Sequence, residues 1–168
     1  IQEQKKASSY YIQDASIIDE IRKDNKDYVS QLSFLSEEGF PFYHNTGFEY
    51  YAPCENGFDG MLKELKKAEK YIFMEYFIIE EGIMFNSILS ILEEKVKQGV
   101  EVRIMYDDMG SLGTLPASYA KQLQKKGIKA VSFNRISPII NTIMNHRDHR
   151  KILVIDGKVA FSGGANLA

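Results

Sequence analysis

Residues 145–166 read NHRDHRKILVIDGKVAFSGGAN, and this stretch decides the fold. Two apolar, β-branched runs stand on either side of the dipeptide Asp156-Gly157. A two-residue type I′ turn needs positive φ at both central positions, and Asp-Gly is typical of it. The stretch therefore predicts a β-hairpin in which Ile155 faces Lys158.

Pairing the two strands residue by residue from that turn predicts that several polar side chains lie at the far end of the hairpin. Lys151 is expected to face Ser162, and His149 to face Gly164. Because side chains alternate along a strand, His149 and Lys151 share one face, and the same parity adds Asn166. The pattern predicts an imidazole, an ammonium and a carboxamide beside glycines that allow another group to approach the backbone closely.

These residues also form a motif. The sequence reads HxKxxxxD from His149 to Asp156 and GGxN from Gly163 to Asn166, and this combination resembles the signature of the phospholipase D superfamily. Many members of that superfamily carry serine where this chain has Gly164. Without the GGxN residues, a surface histidine, a surface lysine and an ordinary turn would be the simpler interpretation.

The composition is that of a globular domain. Of 168 residues, 44% are hydrophobic and 26% charged, and the formal net charge is −2. This length supports one domain with a real core, and this charge gives no bulk attraction to nucleic acid. Cys54 is the one cysteine, so an internal disulfide is excluded and a cysteine metal site is not expected. No apolar run reaches transmembrane length.

Helical and extended patterns alternate along the chain. Helical spacing predicts helices over 17–35, with a break at 24–27, and over 58–68, 85–97 and 116–126. Apolar runs predict strands over 48–52, 71–79, 100–106, 129–133, 151–155 and 159–161, with an irregular apolar stretch at 137–144. This alternation predicts an α/β fold with a mixed, mostly parallel sheet sandwiched by helices. We expect residues 1–40 to be a polar and helical leader.

Carboxylates interrupt or end two of these strands. Glu75 lies within 71–79, a run typical of a strand buried on both faces. A buried carboxylate is costly unless it is paired, so Glu75 belongs either to a polar site or to a salt bridge. Asp107-Asp108 end the strand over 100–106, where ligands bind in open α/β sheets. They could bind a metal, but neighbouring strand residues point to opposite faces, which favours a cap or loop role.

The resemblance extends beyond the motif. The segments FMEYFIIEEG, GVEVRIMYDDMGS and GIKAVSFN, together with the hairpin, resemble successive blocks of bacterial cardiolipin synthases from about Gly39 to Ala168. Those enzymes have N-terminal membrane segments and two catalytic halves. The resemblance implies that residues 41–168 are the first phospholipase D-like half, truncated at its C-terminal end. It also implies a full-length protein at the bacterial cell membrane, with its catalytic domain facing the cytoplasm, and a fragment that is itself soluble.

The reaction implied by the resemblance transfers a phosphatidyl group between two phosphatidylglycerols, giving cardiolipin and glycerol. It implies His149 as the nucleophile that forms a phospho-histidine, or as its partner acid, with no metal or cofactor. The candidate site has catalytic residues His149, Lys151 and Asp156, and phosphate-binding residues Ser162, Gly164, Asn166 and Glu75. The turn position of Asp156 nevertheless favours a structural role.

The leaving alkoxide needs a general acid, which should be a second histidine. His44 and His146 are the other histidines, and His146 has the wrong strand parity to stand opposite His149. We therefore expect the second imidazole from a second catalytic half or a second subunit, and an inactive fragment. Expected partners are the anionic lipid, which the cluster of Arg147, Arg150 and Lys151 would suit, and the membrane surface, but no nucleic acid.

Two other functions stay open. A phosphodiesterase or nuclease could pair two single-motif chains in a dimer, and would bind DNA in a salt-sensitive way. A non-catalytic domain could use the same fold to bind a membrane or a partner protein.

Overall fold

The computed structural model describes residues 13–24, 26–44, 46–136 and 145–168. The chain divides into two compact units, Ile1–Tyr50 and Tyr51–Ala168. The predicted irregular stretch at 137–144 lies outside the described residues. In the described part of the chain, no helix combines the length and the apolarity that crossing a bilayer requires.

The first unit is helical, as predicted for the leader. It contains α1 (Ala15–Asp24), a 3-10 turn (Lys26–Tyr28) and α2 (Val29–Glu37). The interruption predicted at 24–27 is therefore present, and Gly39, with φ of +88°, follows the end of α2. The predicted strand over 48–52 is wrong, because 46–51 form no regular structure. Its aromatic residues favour a strand, but Phe48 and Tyr50 are 87% and 77% exposed, so they gain no packing from it.

The second unit is an α/β domain. Its elements in chain order are α3 (Asn56–Lys66), β1 (Tyr71–Tyr76), α4 (Ile83–Lys97), β2 (Glu101–Asp107), α5 (Tyr119–Lys125), β3 (Lys129–Phe133), β4 (Lys151–Ile155) and β5 (Val159–Ser162). The strand order is β3-β2-β1-β4-β5. The first three strands are parallel, β4 is antiparallel to β1, and β5 is antiparallel to β4. This confirms the predicted α/β fold with a mixed sheet.

One face of this sheet forms the core with α3, α4 and α5. Burial alternates along β1, where Ile72, Met74 and Tyr76 are buried and Phe73 and Glu75 are half-buried. The prediction that β1 is buried on both faces is therefore wrong. Aromatic residues such as Phe73 made the run look uniformly apolar, whereas the described helices cover one face.

Candidate active site

The hairpin turn forms as predicted, but the strands pair one residue out of the predicted register. Asp156 and Gly157 have φ of +55° and +67°, and the N–H of Lys158 donates to the carbonyl of Ile155 over 2.9 Å. Ile155 pairs with Val159, so Lys158 is an extra residue outside the ladder.

The core explains that shift. In the observed register Val159 and Phe161 lie opposite Ile155 and Leu153, on the face that packs into the core. The predicted register would have turned Lys158 and the small side chains of β5 toward the core instead. Hydrophobic burial therefore overrides the turn count, because a one-residue slip moves every side chain to the other face.

This register separates some of the predicted site residues. Ser162 pairs with Ile152, which lies on the opposite face of β4 from Lys151, so the parity argument for Ser162 fails. Gly164 follows the last ladder pair, and a Cβ placed there would meet no described atom within 4 Å. The expected close approach at Gly164 is therefore not observed among the described residues.

His149 and Lys151 do come together. The Lys151 ammonium lies 3.1 Å from Nδ1 of His149 and donates to the His149 carbonyl over 2.7 Å. Lys151 is 5% exposed, whereas the imidazole is exposed. Both groups contact Phe77, whose ring centroid lies 4.5 Å from that of the imidazole and 5.2 Å from the ammonium. Phe77 thus supports both side chains, and the sequence analysis missed it.

Asn166 lies beside Ile78, the residue after Phe77, although it comes from the segment after β5. After β5 the chain crosses to the end of β1, where Leu167 pairs in parallel with Ile79. The Asn166 side-chain oxygen accepts the N–H of Ile78 over 3.1 Å. This bond uses the amide oxygen, so the NH₂ group is the part of the carboxamide that can donate to a ligand. The imidazole, ammonium and carboxamide thus collect around residues 77–78.

Asp156 lies at the other end of β4. Its carboxylate accepts three backbone N–H groups, those of Glu69, Lys70 and Tyr71, each over 2.8 Å. Burial opposes ionisation of Asp156, but these donors outweigh it and hold the carboxyl pKa below its ordinary value. The structure therefore does not bring Asp156 to His149 and gives it the structural position that its place in the turn suggested.

Two alternatives were expected for Glu75, a polar site or a salt bridge, and the structure shows a salt bridge with Arg150. Glu75 pairs with Ile152 across β1 and β4, and so lies on the opposite sheet face from Lys151. Its Oε1 lies 3.3 Å from Arg150, whose Nε is 3.6 Å from the carboxylate of Asp148. Burial and the neighbouring Asp148 carboxyl raise the pKa of Glu75 to about 7, against the opposing charge of Arg150.

The other basic residues before Lys151 also have acidic partners. Arg147 is 15% exposed and pairs with Asp107 over 3.1 Å. Two members of the basic cluster expected to suit an anionic lipid, Arg147 and Arg150, thus pair with carboxylates. Lys151 is the cation that contacts the imidazole.

Asp107 is a second residue that sequence reasoning undervalued. It is fully buried, and Oδ1 accepts the N–H groups of Met109 and Gly110, which agrees with the loop role favoured for the Asp107-Asp108 pair. It also accepts from Arg147 and Asp148, which no local pattern indicates. Among the described residues, no group of three or more His, Cys, Asp or Glu side chains could hold a metal ion.

The two other histidines lie outside this group. His44 belongs to the first unit and lies 3.4 Å from Glu20. His146 is exposed, and its carbonyl accepts from Asn134 and Arg147. Both observations agree with the surface or hydrogen-bonded roles expected for them.

The arrangement around residues 77–78 suits phosphate chemistry. A neutral imidazole can attack phosphorus or, with a proton, protonate a leaving oxygen. A fixed ammonium and an amide N–H can stabilise negative charge on phosphoryl oxygens. An α/β domain in which the HxK residues and the asparagine of GGxN lie at the end of the central strand β1 has the features expected of the phospholipase D superfamily.

Comparisons with known proteins agree. A family model described as "Cardiolipin synthase, PLD-like domain" matches residues 61–168. A Streptococcus mutans protein whose name assigns no function is 51% identical over 160 residues, which cover 95% of this chain and 35% of that protein. A cardiolipin synthase of Oceanobacillus iheyensis is 35% identical over 144 residues, 86% of this chain and 29% of the enzyme. The structure of NucT from Helicobacter pylori has a similar fold, with a TM-score of 0.51 and 18% identity over 71% of this chain and 73% of NucT.

The chain therefore belongs to the family of phospholipase D-like domains found in cardiolipin synthases. It spans about a third of the length of the two relatives compared by sequence.

Proposed function

We propose that this domain is one catalytic half of a phosphatidyltransferase of the cardiolipin synthase type. Its substrate would be phosphatidylglycerol, and its products cardiolipin and glycerol. Membership of the family supports the class of enzyme. The observation that carries the proposal is the contact of the Lys151 ammonium with the imidazole of His149. Both groups contact Phe77, and Asn166 binds the N–H of the next residue, Ile78.

The proposed reaction has two displacements. An imidazole nitrogen attacks the phosphorus of one phosphatidylglycerol, the bond from phosphorus to the glycerol oxygen breaks, and a second imidazolium protonates that oxygen. The second imidazole then takes a proton from a hydroxyl of another phosphatidylglycerol. That oxygen attacks the phospho-histidine, which restores the first imidazole. Lys151 and Asn166 would bind the phosphoryl oxygens throughout.

The contact at Nδ1 does not distinguish the two roles proposed for His149. When the Lys151 ammonium donates to Nδ1, the neutral ring carries its proton on Nε2. Attack on phosphorus by Nε2 requires a ring with its hydrogen on Nδ1, and a general acid is the imidazolium, which has hydrogen on both nitrogens. Either role therefore requires the Lys151 ammonium to turn from Nδ1 toward the phosphate.

The second imidazole would come from a second catalytic half of the same chain or from another subunit. The longer relatives support the first source, because this chain spans 29% of the Oceanobacillus iheyensis cardiolipin synthase. The anionic lipid would reach the site at a bacterial membrane that other parts of the protein contact, with this domain on the cytoplasmic side.

The test uses the complete natural chain and phosphatidylglycerol vesicles. We expect His149→Ala and Lys151→Met each to lower cardiolipin formation by about 10³-fold, because each removes a group that acts on the reacting phosphate. Lys158→Met is the matched control, since Lys158 is an exposed lysine at the turn of the same hairpin. Thin-layer chromatography of labelled lipid measures the product.

Full activity of His149→Ala would overturn the proposal. Loss of DNA cleavage in that variant, with no lipid transfer in the unmodified protein, would favour the nuclease function instead. Acid quenching followed by mass spectrometry would identify which histidine carries the phosphoryl group.

A further inference from the structure

Asp107 joins two parts of the domain that are distant in sequence. It lies at the carboxyl end of β2 and is fully buried. Within its own turn it accepts the N–H groups of Met109 and Gly110, over 3.0 and 2.9 Å. Its remaining two bonds go to the segment that leads into His149.

Those two bonds fix both the backbone and a side chain of that segment. The N–H of Asp148 donates to Oδ2 of Asp107 over 2.9 Å, and Arg147 donates to Oδ1 over 3.1 Å. The Arg147 guanidinium in turn donates to the carbonyls of Asn134 and His146, over 2.8 and 2.9 Å. Asp148 is itself buried, and it immediately precedes His149. The peptide that aims the imidazole is therefore held at fixed points.

The turn after Asp107 also supports the ring beneath the imidazole. A Cβ on Gly110 would lie 2.8 Å from two ring atoms of Phe77, which is closer than real Cβ contacts allow. The Ser111 hydroxyl accepts the N–H of Ile79 over 3.1 Å. The turn over 108–111 thus packs directly on the 77–79 segment, whose Phe77 contacts His149.

We propose that Asp107 is a positioning residue for His149. It acts on the imidazole through two other parts of the domain and does not itself contact the substrate. Its carboxylate fixes the backbone before the imidazole, and its turn fixes the Phe77 ring on which the imidazole rests. This inference rests on the proposed function, because it concerns the aim of the same imidazole. A displacement of about 1 Å in a reacting group costs about 10²-fold in rate, so the aim of the ring matters.

The substitution Asp107→Asn tests this, because it keeps the size of the side chain. Asparagine offers one acceptor oxygen in place of two and turns an N–H toward a backbone N–H or toward the Arg147 guanidinium. We expect kcat of the complete natural chain to fall about 10-fold to 100-fold while KM for phosphatidylglycerol changes less than about twofold. The matched control is Asp108→Asn, since the Asp108 carboxylate binds the N–H of Ile136 instead. We expect this control to keep kcat within about twofold of the unmodified protein.

A second measurement separates positioning from mere loss of folded protein. In single-turnover experiments, Asp107→Asn should form the trapped phospho-enzyme more slowly but to the same final amount. A smaller amount formed at the unmodified rate would overturn the inference, and so would an unchanged kcat. If His149→Ala stays active in the same assay, the proposed function is wrong. If His149→Ala is inactive while Asp107→Asn is fully active, only the positioning role of Asp107 is wrong.

Discussion

Glu75 is a carboxylic acid that holds its proton close to neutral pH. Partial burial and the nearby Asp148 carboxyl oppose its ionisation more strongly than Arg150 favours it. Glu75 and Asp148 share one arginine, Arg150. The apolar run around Glu75 predicted a carboxylate that needs a partner. The sequence did not identify Arg150 as that partner, because it lies 75 residues away in the chain.

A prediction about pH follows at this residue. The pKa of Glu75 is about 7 in the folded state, above the ordinary value of about 4.3 in the unfolded chain. Between these values the folded state binds more protons, so the free energy of unfolding falls as pH rises. We expect Glu75→Gln to weaken this fall between about pH 5 and about pH 8. Urea unfolding at several pH values measures it.

Glu101→Gln is the matched control for that measurement. Hydrogen bonds from Lys129 and Arg103 lower the pKa of Glu101, so it stays ionised throughout that range. Its replacement should leave the pH dependence unchanged. Equal slopes in unmodified protein and Glu75→Gln would show that Glu75 does not take up the proton.

The hairpin of β4 and β5 shows how elements are joined in this domain. Its turn is local, but the turn carboxylate of Asp156 binds the three backbone N–H groups that lead into β1. In the other direction, the N–H of Asp156 donates to the carbonyl of Tyr71 over 3.0 Å. One side chain thus fixes the start of β1 against the end of β4, which positions the opposite end of β4 and the HxK residues.

We expect Asp156→Ala to destabilise the domain by about 1–2 kcal/mol, because three N–H donors lose a charged acceptor in a partly exposed place. The pKa of Asp156 is lowered in the folded state, so its contribution is complete above about pH 4 and is lost as pH falls further. The difference between unmodified protein and Asp156→Ala should therefore shrink in acid. Thermal and urea unfolding measure it.

Glu94→Gln serves as the control, because Glu94 is an exposed carboxylate on α4. It should change stability by less than about 0.5 kcal/mol. An Asp156→Ala domain as stable as the unmodified one at neutral pH would contradict the structural role of this carboxylate.

In the second unit, as far as the structure describes it, the imidazole of His149 lies with the groups proposed to bind phosphate. His149 is the histidine that lies with Lys151, and the proposed reaction uses two imidazoles. The net charge of −2 gives no bulk attraction to nucleic acid.

We expect the 168-residue chain by itself to convert phosphatidylglycerol to cardiolipin no faster than background, because the proposed reaction needs a second imidazole to protonate the leaving alkoxide. Lipid chromatography at domain concentrations spanning two orders of magnitude measures the rate, and circular dichroism verifies that the domain is folded. Activity that rises with the square of concentration would point to a second subunit as the source of the imidazole. Robust transfer proportional to domain concentration would contradict the expectation.

By itself, the sequence determined the features that depend on local geometry. The alternation of helix and strand, the Asp156-Gly157 turn and the shared face of His149 and Lys151 follow from φ, ψ and a two-residue side-chain period. The tertiary structure alone decided the hairpin register, the arrival of Asn166 beside Ile78 and the partners of Asp107. The reason is that these depend on burial of Val159 and Phe161 and on hydrogen bonds between segments far apart in sequence, which no local pattern encodes.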